Sequence, residues 1–374
     1  MTSFFFYGTL RHEPLLRAVL GREVVTEPAL LADYRVHAVA DQDFPMILAE
    51  PGATATGVLA RDLGPGDIER LDYYEGGFGY DLRQVSVGGQ AAQIWVPRAG
   101  LWQPAGDWDL AAWAERWGTL QVAAAEDAMA LRADRPVAEL ARRWPKVQVR
   151  ASARLRARGS DAPAEAARLG AAGTPEAADI RIAARHEPYA NFFSVEEYDL
   201  SYPRYDGAMS PVVNRAVFVT GDAATVLPYD QARDRVLVIE QFRVGPFARG
   251  DGRPWLLEPI AGRVDAQEDP ETAIRREAEE EAGITLGALH PVGTYYPTPA
   301  AKSEFLYSYV ALADLPDGAA RAGGLDEEAE DIRPHLLTFS ELMALVDEGA
   351  LTNGPLLLSA LWLARHRDRL LRNA

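Results

Sequence analysis

Cysteine is absent from the 374 residues, which removes disulfides and thiol chemistry and suits a reducing cytoplasm. The six histidines (His12, His37, His186, His290, His335 and His366) lie far apart and form no zinc-type pair. Cations are outnumbered, 38 Lys and Arg against 55 Asp and Glu, for a formal net charge of −17. That balance argues against a nucleic-acid polymer as partner, because non-specific binding needs an excess of cations. No apolar run approaches the ~18 residues expected of a membrane-spanning helix. The opening Met-Thr-Ser-Phe-Phe-Phe-Tyr-Gly-Thr-Leu lacks the basic start and cleavage pattern of a signal peptide. These absences lead to the expectation of a cytoplasmic chain with neither membrane nor nucleic-acid partner, working through carboxylates and a hard metal.

What the sequence does have is concentrated between Gly262 and Ile284, a glycine loop feeding a short helix. Asp269 suits the N-cap, Pro270 the first helical position and Gly283 the left-handed residue past the end. Within those bounds Glu277, Glu280 and Glu281 fall at i, i+3 and i+4, three acids on one face. Like charges at that spacing destabilise a helix unless something neutralises them, and hard divalent cations such as Mg²⁺ take oxygen ligands. An acidic face is ordinarily just solvated; here the spacing changes the reading. Gly262, Glu268, Arg276, Glu277, Glu280, Glu281, Gly283 and Ile284 fit the pattern Gly-x5-Glu-x7-Arg-Glu-U-x-Glu-Glu-x-Gly-U, where U is a bulky aliphatic residue and Ala278 is the one loose fit. This is the Nudix box, and the stretch resembles the Nudix hydrolases. Those enzymes cleave a nucleoside diphosphate linked to another group, using metal ions bound to this helix.

The chain is long for one domain and suits two. At its start, residues 3–7 read as a buried strand stopped by Gly8-Thr9, and Leu10 to Leu20 has helical spacing. Later come Leu71-Asp-Tyr-Tyr-Glu75-Gly-Gly-Phe-Gly-Tyr80 and strand-like segments at Leu82–Val87 and Ala92–Val96. Taken in this order they resemble the γ-glutamylcyclotransferase-like (AIG2-like) family. The resemblance implies a mixed β-barrel with helices. It also implies a Tyr7-Gly8-Thr9-Leu10 loop whose N–H groups grip a substrate α-carboxylate, and Glu75 as general base releasing 5-oxoproline from a γ-glutamyl compound. The same domain as a non-catalytic binding module is the other reading.

Residues 101–180 change character: four tryptophans (Trp102, Trp108, Trp113, Trp117) precede Ala-rich helical sequence, and an arginine-rich run follows. Arginine heads lying in water or pairing with acids account for that run better than phosphate contact does. Gly159 to Pro175 reads as a linker. The expected division is residues 1–100, a helical insert and linker over 101–180, and 181–374.

From Ile180 the pattern becomes strands with turns, Arg235–Arg243 being the clearest central strand, and Pro355–Leu371 closes the chain as an amphipathic helix. Strands flanked by helices on both sides give an α/β/α sandwich with a mixed sheet, so the whole chain combines α/β and α+β classes. Asn191-Phe-Phe-Ser, Glu240-Gln-Phe-Arg, Trp255–Gly262 and Gly324–Ile332 are similar to segments of the bacterial ADP-ribose pyrophosphatases. That resemblance implies metal held by Glu277, Glu281, the carbonyl of Ala261 and Glu330. It casts Glu328 as the residue positioning or deprotonating water, Glu280 as a further acid on the metal, Arg243 at the diphosphate, and Arg215 and Phe193 at the nucleotide end. Arg276 with Glu268 is expected to be a structural ion pair. The resemblance further implies Mg²⁺ as cofactor, with Mn²⁺ as alternative, and as partners a small sugar nucleotide and a second copy in a homodimer. ADP-ribose is the first expectation for substrate and GDP-mannose or another sugar nucleotide the alternative. The other class open is a γ-glutamylamine cyclotransferase in the first domain. The two-domain layout also resembles that of tellurite-resistance proteins.

Overall fold

The structure, a computed structural model, describes residues 2–132, 135–159, 175–191, 193–319 and 331–372. The chain divides into two compact units, Met1–Ala162 and Pro163–Ala374.

The first unit is built on β1 (Thr2–Phe6), α1 (Glu13–Leu20), β2 (Thr26–Val39), β3 (Pro45–Leu63), α2 (Pro65–Glu75), β4 (Tyr80–Val87), β5 (Gln90–Pro97) and β6 (Pro104–Asp107). These strands form a mixed six-stranded sheet in the order β4-β5-β1-β3-β2-β6. The apolar run of β1 is central because it pairs antiparallel with β3 and parallel with β5. Phe5 joins Tyr7, Ile47, Leu59 and Ile94 in one buried cluster. Helices α3 (Leu110–Trp113), α4 (Thr119–Ala130) and α5 (Val137–Arg158) also belong to this unit, α4 packing on α1 and α5 on α2. Gly77 permits the close approach of α5: a Cβ there would meet the Val137 carbonyl at 2.8 Å. The arginines of α5 take partners inside the unit, as Arg154 does with Asp127 at 2.6 Å.

The second unit opens with a three-stranded antiparallel sheet of β7 (Arg181–Ala190), β8 (Ser194–Ser201) and β9 (Val213–Val219). The larger sheet follows, from β10 (Ala223–Asp230), β11 (Arg235–Phe242), α6 (Val244–Arg249), β12 (Trp255–Glu258), β13 (Ile260–Arg263), α7 (Pro270–Ala282), β14 (Leu289–Tyr295), β15 (Leu306–Leu312), β16 (Arg333–Thr338), α8 (Phe339–Asp347) and α9 (Gly354–Arg372). Its main path is β12-β11-β10-β15-β14, with β13 added to β10 and β16 to β11; β10 and β15 are parallel and the remaining pairs antiparallel. Alternation along β11 explains the sandwich. Leu237 and Ile239 face the cluster containing Ile274 and Ala278 of α7, whereas Val236 and Val238 face the one containing Leu342 of α8 and Leu363 of α9. Each such fully buried aliphatic side chain contributes roughly 1.5–3 kcal/mol of transfer free energy. The expected α/β/α sandwich with mixed sheet is therefore what the chain forms. Among the described residues no helix is long and apolar enough to cross a membrane.

Candidate functional site

Register in the large sheet places the glycine turn. Strand β13 pairs Ala261 with Thr225 and Gly262 with Ala224 of β10, and α7 lies over the same strands through Ile274 and Ala278. The helix is held at both ends. Asp269 accepts from the backbone N–H of Glu271 and Thr272, both at 3.0 Å, and hydrogen bonds from Thr272 hold its carboxyl below the usual range. Past the last turn Gly283 takes φ +62°, and Ile284 donates back to the Ala278 carbonyl at 3.2 Å.

So fixed, Glu277 and Glu281 reach β13. Glu281 is only 3% exposed and accepts from the Ala261 N–H at 3.2 Å. Glu277 occupies the space a side chain on residue 262 would need: a Cβ on Gly262 would lie 1.9 Å from its carboxyl group. Arg276 answers the charge of the acidic face. It pairs with Glu268 at 3.1 Å, Glu277 at 2.8 Å and Glu280 at 2.9 Å. The hydrogen bonds it donates to Glu268 foremost, and then the charge of Glu277, raise its pKa against the opposing effect of partial burial. The Arg276–Glu268 pair read from the sequence is present, and Arg276 also holds Glu280.

The other expected residues are placed as follows. Arg243, at the end of β11, makes a two-pronged contact with Glu258 at 3.0 and 2.7 Å. Glu258 is 4% exposed, so the cation expected at the diphosphate is anchored on a buried acid that the sequence reading did not single out. Arg215 lies on β9, its guanidinium donating to the Asn214 carbonyl at 3.0 Å, and Phe193 packs edge-on against Phe218. Both belong to the three-stranded sheet region. Glu328 and Glu330 lie outside the described residues. Among the described residues no three His, Asp or Glu side chains converge to hold a metal.

The first unit holds a separate cavity of about 80 Å³ lined by Tyr7, Gly8, Thr9, Leu10 and Glu75. The sheet and α2 thus bring together all five residues expected there. Gly8 and Thr9 open a 3-10 turn whose carbonyls accept from Arg11 and His12 at 3.1 and 2.9 Å. Glu75 ends α2, half-buried by surface yet deep in the unit, its open side lying on the cavity. Burial alone pushes its carboxyl up to about 7. Burial likewise raises the Tyr7 hydroxyl, with Tyr80 and Glu75 adding to the effect. Tyr80 donates to the Pro45 carbonyl at 3.1 Å. Sequence reasoning missed Asp43, Gln121 and Trp144 in this wall. Nothing in the sequence around Asp43 signals that helices 70 and more positions away fold over it.

Residues 4–110 match the family described as γ-glutamyl cyclotransferase, AIG2-like, and residues 219–358 match the NUDIX domain. The chain is similar to the ADP-ribose pyrophosphatase of Escherichia coli (strain K12), 36% identical over 192 residues that are 51% of this chain and 91% of that protein. The ADP-ribose pyrophosphatase of Haemophilus influenzae is 33% identical over 187 residues, 50% of this chain and 86% of its own. The GDP-mannose pyrophosphatase of Pectobacterium atrosepticum is 32% identical over 164 residues, 44% and 83% respectively. With the box helix capped at both ends and its acids folded onto the glycine turn, identity at that level over nine-tenths of a relative makes this chain a member of the Nudix hydrolase family, carrying a γ-glutamyl cyclotransferase-like unit before the Nudix domain.

Proposed function

We propose that the second unit hydrolyses ADP-ribose to AMP and ribose 5-phosphate in a divalent-metal-dependent reaction. The observation that carries this is the seating of Glu277 and Glu281 on consecutive residues of β13, against a glycine that can bear no side chain. The donor set suits a hard cation: two carboxylates beside the backbone of Ala261 and Gly262, with an arginine balancing part of their charge. The Ala261 carbonyl, Glu277, Glu281 and Glu330 would hold Mg²⁺, with Mn²⁺ as the alternative. When bound, the metal neutralises diphosphate oxygens and lowers the pKa of water.

The protein's own groups take the remaining parts. Glu328 accepts the proton of the attacking water, whose oxygen bonds to phosphorus as the bridging P–O bond breaks and its electron pair leaves with the departing phosphate. Glu280 adds negative charge to the metal's surroundings, and Arg276 fixes the loop to the helix. Arg243, oriented by Glu258, offers its cation to the diphosphate. Arg215 and Phe193 serve the nucleotide end, in a homodimer reaching the other protomer's site. A chain without cysteine and rich in carboxylates supports a cytoplasmic setting.

The higher identity to the ADP-ribose pyrophosphatase of Escherichia coli, 36% against 32% to the GDP-mannose pyrophosphatase of Pectobacterium atrosepticum, supports ADP-ribose over GDP-mannose. Turnover of both at equal concentration, with products resolved by chromatography, tests the choice. Faster GDP-mannose cleavage would overturn the substrate and leave the chemistry standing.

A second reading belongs to the first unit. A carboxyl raised to about 7 is matched to general-base work near neutral pH, which supports cyclisation of a γ-glutamylamine with release of 5-oxoproline. Glu75→Gln should stop 5-oxoproline formation while nucleotide cleavage continues. If the unaltered protein forms none from any γ-glutamyl compound, the unit is a binding module instead.

A further inference from the structure

The first unit has a second recess, which shares no lining residue with the Glu75 cavity. It is a groove of about 600 Å³ between α2 and the connection from α4 to α5. Leu63, Ile68, Pro136 and Val137 make much of its wall apolar, and the polar groups are Glu69, Asp72, Tyr73, Arg132 and Arg135.

Tyr73 decides what the groove can hold. It is 5% exposed, and its hydroxyl has no hydrogen-bond partner among the described residues. A buried hydroxyl without a partner is unfavourable, so an acceptor is wanted there. Burial raises its pKa, which keeps it a donor at neutral pH, while the charges of Arg143, Arg135 and Arg132 act in the opposite sense and Glu139 acts with burial. The cationic side of the groove therefore gathers around an unpaired O–H. Arg132 pairs with Glu69 at 2.6 Å, but Glu69 is largely exposed, and such pairs are weak in water. The Arg132 Nε–H is buried without an acceptor among the described residues. Arg135 lies 3.7 Å from Glu139. Helix α5 starts at Val137 with no side-chain cap, so its first turn adds the positive end of a helix dipole.

The acids set a limit on the ligand. Asp72 also lines the groove, and burial raises its carboxyl with no cation's charge opposing the rise. A second anionic group would meet Asp72 and Glu69, so the walls favour one negative head per ligand.

We infer that this groove binds a small organic acid with a single anionic head and an apolar body. The head accepts from the Tyr73 hydroxyl and pairs with Arg132 and Arg135. The body lies along Ile68, Pro136 and Val137. The inference stands whether or not Glu75 performs catalysis, and it does not rest on hydrolysis in the second unit.

Hexanoate, its uncharged isostere hexanamide and the dianion adipate test it on the full chain by isothermal titration calorimetry at neutral pH. Hexanoate should bind at least about tenfold tighter than hexanamide, as expected when a charged acceptor replaces a neutral one, and adipate should bind more weakly than hexanoate. Tyr73→Phe removes the hydroxyl alone and should weaken hexanoate by about tenfold, the scale of a hydrogen bond to a charged group. Arg135→Gln should bring hexanoate and hexanamide to similar affinity, with circular dichroism showing that both variants fold. Glu75→Gln, in the separate cavity, should leave hexanoate binding unchanged. Equal affinity for hexanoate and hexanamide, or no hexanoate binding at millimolar concentration, would overturn the inference on the unaltered protein alone. So would adipate matching hexanoate, hexanoate binding that is undiminished in folded Tyr73→Phe and Arg135→Gln, or binding that changes in Glu75→Gln instead.

Discussion

At the scale of single residues, Gly262 and Glu75 show two ways in which space governs chemistry. Gly262 is required because Glu277 fills the volume its side chain would take. Gly262→Ala should displace that carboxylate by an ångström or more and lower ADP-ribose turnover by about 10²-fold, the scale on which such misplacements act. Circular dichroism should show the sheet intact; near-normal turnover would mean the carboxylate is not part of the site. The requirement was legible in the sequence, since the glycine belongs to the box, whereas the reason for it was not. Glu75 is governed by dehydration: its folded pKa, about 7, lies above the ordinary 4.5. The folded state then binds more protons than the unfolded one between those values, so stability falls as pH rises through this window and stays low above it. Glu75→Gln removes the group. It should leave stability unchanged below pH 4.5 and raise it by about 1–3 kcal/mol at pH 8, read from urea unfolding of the first unit. A destabilised variant at pH 8 would mean the carboxylate has a partner in the fold.

At the scale of elements, legibility followed how local each determinant is. Helix α7 was readable because Asp269, Pro270 and Gly283 are all within or next to it. The cap can be weighed directly: Asp269→Ala strips acceptors from two backbone N–H groups and should cost about 1 kcal/mol. Because the carboxyl is held below its ordinary pKa, its contribution is present above pH 3.8 and lost as pH falls through the folded value. The penalty should shrink in acid, and hydrogen exchange along α7 would report it. By contrast, β2 and β3, the longest strands, escaped the sequence reading. β2 carries Glu27, Pro28 and Arg35, and its register shifts between Ala32 and Tyr34, where Asp33 takes φ +62°. β3 contains Pro51 and Gly52 in mid-strand. Alternation is broken by these residues, and only pairing along nearly their whole length reveals the strands. The arginine-rich run, expected as helix with its heads in water or paired with acids, makes ion pairs such as Arg154 with Asp127, but its packing by Asp43 depends on a contact across a hundred positions, which no local pattern encodes.

At the scale of the whole chain, two compact units carry two separate sets of carboxylates. Those of the second unit lie on the box helix against β13 and are partly balanced by Arg276; those of the first line a cavity among aromatic rings. A ligand binding only the folded form stabilises the part that holds it, by about 2.7 kcal/mol at a hundredfold excess over its Kd. Calorimetry at neutral pH should therefore show that Mg²⁺ raises the melting of the second unit and leaves that of the first in place, with chelation reversing the rise. Glu281→Gln should abolish the shift because the lost charge is buried beside Ala261, and the same variant should lose ADP-ribose turnover. If Mg²⁺ moved both transitions together, or the shift persisted in Glu281→Gln, the metal would be bound elsewhere than on the box helix, and the assignment of Glu277, Glu281 and Ala261 would fall even with hydrolysis intact.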